Sequence, residues 1–106
     1  MYEYKAVVKK VIDADTIDLV IDLGFYISVQ KRVRVLGIDA PEVNTKEGKE
    51  AREFVRSYLQ IGMDVIVRTE KDKNDKYGRF LADIIYQDIP LSKVLLDKGL
   101  AKPYAG

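Results

Sequence analysis

The sequence predicts an α+β fold, mainly β, with elements in the order β-β-β-α-β-β-α. Five short stretches read as strands, one stretch between the third and fourth repeats its apolar residues at helical spacing, and Gly or Pro stands at the joints. With 106 residues, 47% of them hydrophobic and 33% charged, residues 1–106 are expected to form a single domain around one core.

Tyr2 to Val11 is rich in β-branched and aromatic residues and reads as the first strand. Thr16 to Leu23 alternates, with Ile17, Leu19 and Ile21 on one face and Asp18, Val20 and Asp22 on the other, the pattern of a half-buried strand. Gly24 opens a turn. Tyr26 to Leu36 is the third strand, with Ile27, Val29, Val33 and Val35 as its apolar series and Lys31, Arg32 and Arg34 riding on it. Glu47 to Gln60 changes period: Ala51, Phe54, Val55, Tyr58 and Leu59 make one apolar stripe of a helix. Asn44 or Thr45 caps its start, and Gly62 ends it in the left-handed conformation. Asp64 to Thr69 returns to alternation, KDKNDKYG forms a charged loop, and Phe80 to Tyr86 is the fifth strand. Pro90 suits the first turn of a short second helix carrying Leu91, Val94 and Leu95, which Gly99 stops. The tail LAKPYAG reads as irregular. Five short strands with a helix between the third and fourth is the layout of an OB-type barrel, a fold that often binds oligonucleotides but grants no function by itself.

Composition excludes more than it identifies. Without Cys there are no disulfides, thiolate metal sites or thiol nucleophiles, and without His there is neither an imidazole base nor an imidazole zinc site. Proton transfer would fall to a carboxylate, Lys or Tyr, and a bound metal would need oxygen ligands, which favours Ca²⁺, Mg²⁺ or Mn²⁺. Lys and Arg total 18 against 17 for Asp and Glu, so any site for a polyanion must be a local cluster. The opening MYEYKAVVKKVIDADT lacks the apolar core of a signal peptide, which favours the cytoplasm, or secretion if the chain is a processed form. No run is long enough to cross a bilayer, so no membrane partner is expected.

Three constellations could carry chemistry. In Asp13-Ala14-Asp15-Thr16 the two carboxylates lie two residues apart, on one side of an extended chain, and repel unless a cation neutralises them. Alone, the segment reads more simply as a turn between strands. In Arg34-Val35-Leu36-Gly37-Ile38-Asp39-Ala40-Pro41-Glu42, Pro41 holds Ala40 extended, so Asp39 and Glu42 project from a stiffened turn beside an Arg. Alone, this is a surface turn whose acids favour a following helix. In Asn74-Asp75-Lys76-Tyr77-Gly78-Arg79, Lys76 and Arg79 could meet phosphate and Tyr77 could stack; alone, it is a solvated hairpin loop. Together the three bring carboxylates and two arginines from separate strand ends, a combination that a barrel alone does not require.

With these residues in hand the chain resembles the thermonuclease, or staphylococcal nuclease-like, family. IDADTIDL, RVLGIDAPE, DKYGRFLADI and LLDKGLAKPY occur in the family order across nearly the whole chain. The resemblance implies a five-stranded OB-like barrel and a Ca²⁺-dependent phosphodiesterase that cuts DNA and RNA, favours unpaired strands and leaves 3′-phosphate ends. It also implies that Asp15 and Asp39 are carboxylate ligands of Ca²⁺ and that Ala40 supplies a main-chain carbonyl ligand where the family often has Thr. Arg34, Glu42 and Arg79 match the catalytic Arg, Glu and Arg. Asp13 matches an acidic residue behind the metal ligands. Lys76 and Tyr77 match contacts to a nucleotide phosphate, and Tyr104 an aromatic that packs against a base. Two departures stand out: the loop after Glu42 is shorter than in the best-known members, and a third, C-terminal helix is not expected.

The mechanism expected on this basis has Glu42 orient or deprotonate water while Arg34 and Arg79 clamp the phosphate. DNA and RNA are the expected partners of a monomer with no obligate protein partner. Phosphate contacts and stacking by Tyr77 or Tyr104 carry little sequence information. Lys71 and Lys73 read as a solvated loop. The rival expectations are a non-catalytic OB module that binds nucleic acid or protein, and a small structural domain with an acidic surface.

Overall fold

The computed structural model describes residues 2–74 and 79–104, and for residues 70–74 the backbone alone. Its elements run β1 (Tyr2–Asp13), β2 (Thr16–Gly24), β3 (Ile27–Val35), β4 (Ile38–Asp39), α1 (Lys46–Tyr58), β5 (Asp64–Asn74), β6 (Phe80–Tyr86), β7 (Ile89–Pro90), α2 (Leu91–Asp97) and β8 (Lys102–Pro103). The main sheet has the order β3-β2-β1-β5-β6-β7, and a further pairing of β3 with β6 closes it into a five-stranded barrel of the expected OB-like type. Every pairing in this sheet is antiparallel except the closing one, which sets Val33, Arg34 and Val35 beside Phe80, Leu81 and Ala82.

The alternation read from the sequence decides what fills the barrel. Ile17, Leu19 and Ile21 of β2, Val33 and Val35 of β3, Val65 and Val67 of β5 and Ala82 and Ile84 of β6 are buried, and Ala51, Val55 and Leu59 bring α1 onto the same core. In β1 the phase changes: Ala6 and Val8 are buried, then Val11, because a bulge at Lys9 inserts one residue. Lys9 and Lys10 are therefore both exposed and together oppose the single residue Asp18.

The boundaries differ from expectation where long-range pairing or a cap decides them. The helix α1 starts after Thr45, whose hydroxyl accepts from the Gly48 N–H at 3.0 Å. It ends at Tyr58 with Leu59 as cap, so Gly62 does not terminate it. Gly62 instead turns the chain, at φ +90°, and donates its N–H to the Val8 carbonyl. Pro90 is the cap of α2 rather than part of its first turn, because its residue pairs with Ile85 of β6. The strand β5 runs on to Asn74, into the segment expected to be loop, where Asn74 pairs with Phe80. The tail is not wholly irregular: Lys102 and Pro103 pair with Asp39 and Ile38.

Candidate active site

At one end of the barrel, segments far apart in sequence finish together. The turn from β1 to β2 carries Asp13 and Asp15, and it is tied to β3 by the Val35 N–H donating to the Asp15 carbonyl at 2.8 Å. The strand β3 presents Arg34 opposite Thr16 of β2. Gly37, at φ +80°, then turns the chain into β4, which delivers Asp39, Ala40 and Glu42. Because β6 starts beside Val33, Arg79 arrives next to this end of β3.

Arg34 is the hub. Its side chain is 11% exposed, with Nη1 3.4 Å from Asp15 Oδ2 and Nη2 3.4 Å from Asp39 Oδ1. Nη1 also donates to the Val35 carbonyl at 2.8 Å. The Tyr104 ring lies 5.8 Å from the guanidinium carbon, held by the Tyr104 N–H donating to the Gly37 carbonyl. Asp15 accepts from the Ala40 N–H at 3.0 Å and from the Thr16 hydroxyl at 3.2 Å. Arg79 Nη1 donates to that same hydroxyl oxygen at 3.3 Å. One buried hydroxyl thus links the Asp15 carboxylate to the second arginine.

Glu42 is set by the start of α1. Its carbonyl accepts from the Thr45 N–H at 3.0 Å and from the Thr45 hydroxyl at 2.6 Å. Gly48 lies against it so closely that a Cβ there would fall 1.8 Å from the Glu42 carbonyl oxygen. The side of the site toward α1 is a cleft lined by Asp39, Glu42, Glu47 and Glu50 against one cation, Lys102. Burial pushes the Asp13 carboxyl above its usual range; Asp15 pushes it further, Arg52 pulls it back, and Glu42 and Arg79 act more weakly in opposite senses.

Asp15 and Asp39 offer hard oxygen donors, the chemistry that suits Ca²⁺ or Mn²⁺. Among the described residues no group of three or more acidic side chains closes into a cage. Two carboxylates alone fill at most part of the 6–8 positions of Ca²⁺. The donor type of Asp15 and Asp39 suits a hard cation, and both carboxylates lie against Arg34. The contact made by Ala40 is through its N–H.

The structure thus gathers Asp13, Asp15, Arg34, Asp39, Ala40 and Arg79, sets Glu42 on the adjoining rim and brings Tyr104 onto Arg34. Lys76 and Tyr77 lie outside the described residues, as do the side chains of Lys71 and Lys73. Sequence reasoning missed Gly48 and the bridging role of Thr16. The only signal for Gly48 was a glycine early in a helix, where it is unfavourable without a packing reason.

Residues 32–105 match the family model described as staphylococcal nuclease homologue, a span that holds Arg34, Asp39, Ala40, Glu42, Arg79 and Tyr104. The chain is 37% identical over 101 residues to a thermonuclease of Staphylococcus intermedius, covering 90% of this chain and 56% of that protein. It is 33% identical over 105 residues to a thermonuclease of Staphylococcus hyicus, covering 93% and 57%. Over 74 residues it is 39% identical to the staphylococcal-like nuclease CAN1 of Arabidopsis thaliana, covering 69% and 22%. It spans a little over half the length of the two thermonucleases and under a quarter of the plant protein. The chain belongs to the staphylococcal nuclease homologue family.

Proposed function

We propose that this chain is a Ca²⁺-dependent phosphodiesterase that hydrolyses single-stranded or flexible DNA and RNA to 3′-phosphate products. The observation that supports it most is the Arg34 guanidinium lying between Asp15 and Asp39, with Arg79 joined to the same cluster through Thr16. Attack of water on a phosphodiester is opposed by the negative charge of the phosphate, and further charge builds on its oxygens and on the leaving oxygen. Two planar guanidinium forks answer that charge, and an almost buried one does so with little competition from water. Asp15, Asp39 and the Ala40 carbonyl would hold Ca²⁺, whose chemistry when bound is polarisation of the phosphate oxygens.

Glu42 takes the attacking water. It is carried on the rim of the site by a backbone locked to Thr45 and Gly48, and it orients the water or accepts its proton as the new P–O bond forms. The P–O5′ bond then breaks, the phosphate stays on the 3′ side, and the leaving oxygen takes up a proton from solvent to become a 5′-hydroxyl, balancing the one that the attacking water gives up. Arg34 and Arg79 hold the phosphate through this change. Asp13, kept partly out of water, shapes the local charge without touching the reacting atoms. Tyr104 covers the Arg34 guanidinium and offers an aromatic face to a neighbouring base.

The test is digestion of a single-stranded oligonucleotide in Ca²⁺, in Ca²⁺ plus chelator, and by Glu42→Ala. The wild type in Ca²⁺ should release 3′-phosphate ends, the chelator should abolish this, and Glu42→Ala should lower the rate by about 10³-fold. Arg34→Lys should recover little, since a point charge lacks the bidentate fork. Equal digestion in all three conditions overturns the mechanism, and tight binding with no digestion makes the domain a binding module.

A further inference from the structure

The row of residues next to the site, on the outer face of the same three strands, is basic where the opposite flank is acidic. Asp13 of β1, Thr16 of β2 and Arg34 of β3 stand opposite one another in register. Two residues along each of the latter strands, the next outward row is Lys10, Asp18 and Arg32. Rows on one face are about 7 Å apart. Asp18, only 7% exposed, is met by Arg32 through two hydrogen bonds of 2.8 and 3.1 Å. Its charge is therefore answered within the row, and Lys10 is left over. The bulge in β1 adds Lys9 to the same face.

A cleft of about 590 Å³ opens here, lined among others by Lys9, Lys10, Asp18, Gln30, Arg56 and Gln60. Arg56 reaches over β1 from α1, 3.4 Å from the Val11 carbonyl, and pairs with Glu53 at 3.2 Å. Three cations, Lys9, Lys10 and Arg56, line the cleft with one carboxylate, Asp18, while Arg32 pairs with Asp18 and Glu53 with Arg56 beside it. Neither Lys9 nor Lys10 makes an ion pair among the described residues. Ile61, 76% exposed, gives the cleft an apolar rim that a sugar or base could cover. The other flank of the site, with its four carboxylates and one lysine, repels a polyanion.

We propose that Lys9 and Lys10 form a second phosphate subsite, which takes the backbone of a single-stranded nucleic acid one or a few nucleotides from the phosphate held by Arg34. The choice of ligand rests on the nuclease reading above. The bulge turns both lysines outward, the charge difference between the flanks sets the direction of the strand, and shared strands join the subsite to Arg34. Phosphate contacts of this kind add affinity without sequence preference and weaken with salt.

The test compares wild type, Lys9→Gln/Lys10→Gln and a charge-matched control, Lys46→Gln/Lys49→Gln, on the exposed surface of α1. Anisotropy of a labelled twelve-residue oligothymidylate in chelator reads binding without cleavage, and hydrolysis of a dinucleotide in Ca²⁺ reads the site alone. The Lys9/Lys10 pair should bind the oligonucleotide about tenfold more weakly at low salt, with a log–log salt slope shallower by about 1.4, two phosphates at roughly 0.7 each. Its dinucleotide kcat/KM should match wild type, and the control should bind as wild type. Unchanged oligonucleotide binding, an equal loss in the control, or an equal loss on the dinucleotide overturns the subsite. Cleavage by wild type with the Lys9/Lys10 pair unaltered removes the subsite and leaves the nuclease. Groove-dependent binding without cleavage of either substrate removes the nuclease and leaves the subsite.

Discussion

Gly48 shows how one residue governs another's placement. A methyl group there would sit 1.8 Å from the Glu42 carbonyl oxygen, so either α1 or the Glu42 segment must move. Alanine favours helix by about 1 kcal/mol over glycine, so Gly48→Ala should keep its helical circular dichroism while losing at least about tenfold in kcat, as a misplaced group does. Wild-type kcat in the variant would show that the rim of the site tolerates the shift. Tyr58 reports on burial beside α1: it stacks on Phe54 at 5.7 Å and meets Tyr86 edge-on at 5.5 Å. Burial, then the nearby Tyr86, pushes its phenol above the usual 10.0. The folded state thus keeps a proton that the unfolded state sheds above pH 10, so stability is intact below that pH and falls as pH rises past it. Tm measured from pH 9 to 11.5 should fall less steeply for Tyr58→Phe; identical slopes would count against this. Among single residues, the acids and arginines of the site were legible because each sits in a compact motif. Gly48 was not, because its reason lies in a contact six residues back, on a different segment.

The β2–β3 hairpin is the element most at odds with local preference. Gly24, Phe25 and Tyr26 all have positive φ, and the two aromatic side chains are 94% and 109% exposed, so they have no packing to offset the strain. Phe25→Asn/Tyr26→Gly places residues suited to such a turn and should raise stability by about 1–2 kcal/mol, about 5–10 °C in Tm for a domain of this size. An unchanged or lower Tm would mean that the aromatic pair contributes something the folded surface does not show. The second helix depends on a distant side chain: Asp83 of β6 accepts from both the N–H and the hydroxyl of Ser92, in the place of a cap from Pro90. That cap crosses nine residues and has no local signature. The same is true of β8, which exists only because Ile38 and Asp39 lie beside it. Strands and helices announced by periodicity were legible; those made by a partner elsewhere in the chain were not.

At the scale of the molecule, the site exists only when the barrel is closed. Arg34 meets Asp15 across the β2–β3 pairing, and Arg79 reaches Thr16 because β6 lies parallel to β3 despite the long stretch of chain between them. Activity and secondary structure should therefore be lost together in urea, one cooperative transition seen by both probes. Loss of digestion well before loss of ellipticity would mean that the site opens separately. Composition and period by themselves determined the oxygen-and-guanidinium chemistry available and the strands and helix that could carry it, because both are local properties of the chain. Only the tertiary structure decided which acids meet which arginine, that Lys9 and Lys10 face outward together, and that one flank of the site is acidic and the other basic. Those depend on register, bulges and closure, which arise from contacts between residues that the linear order keeps apart.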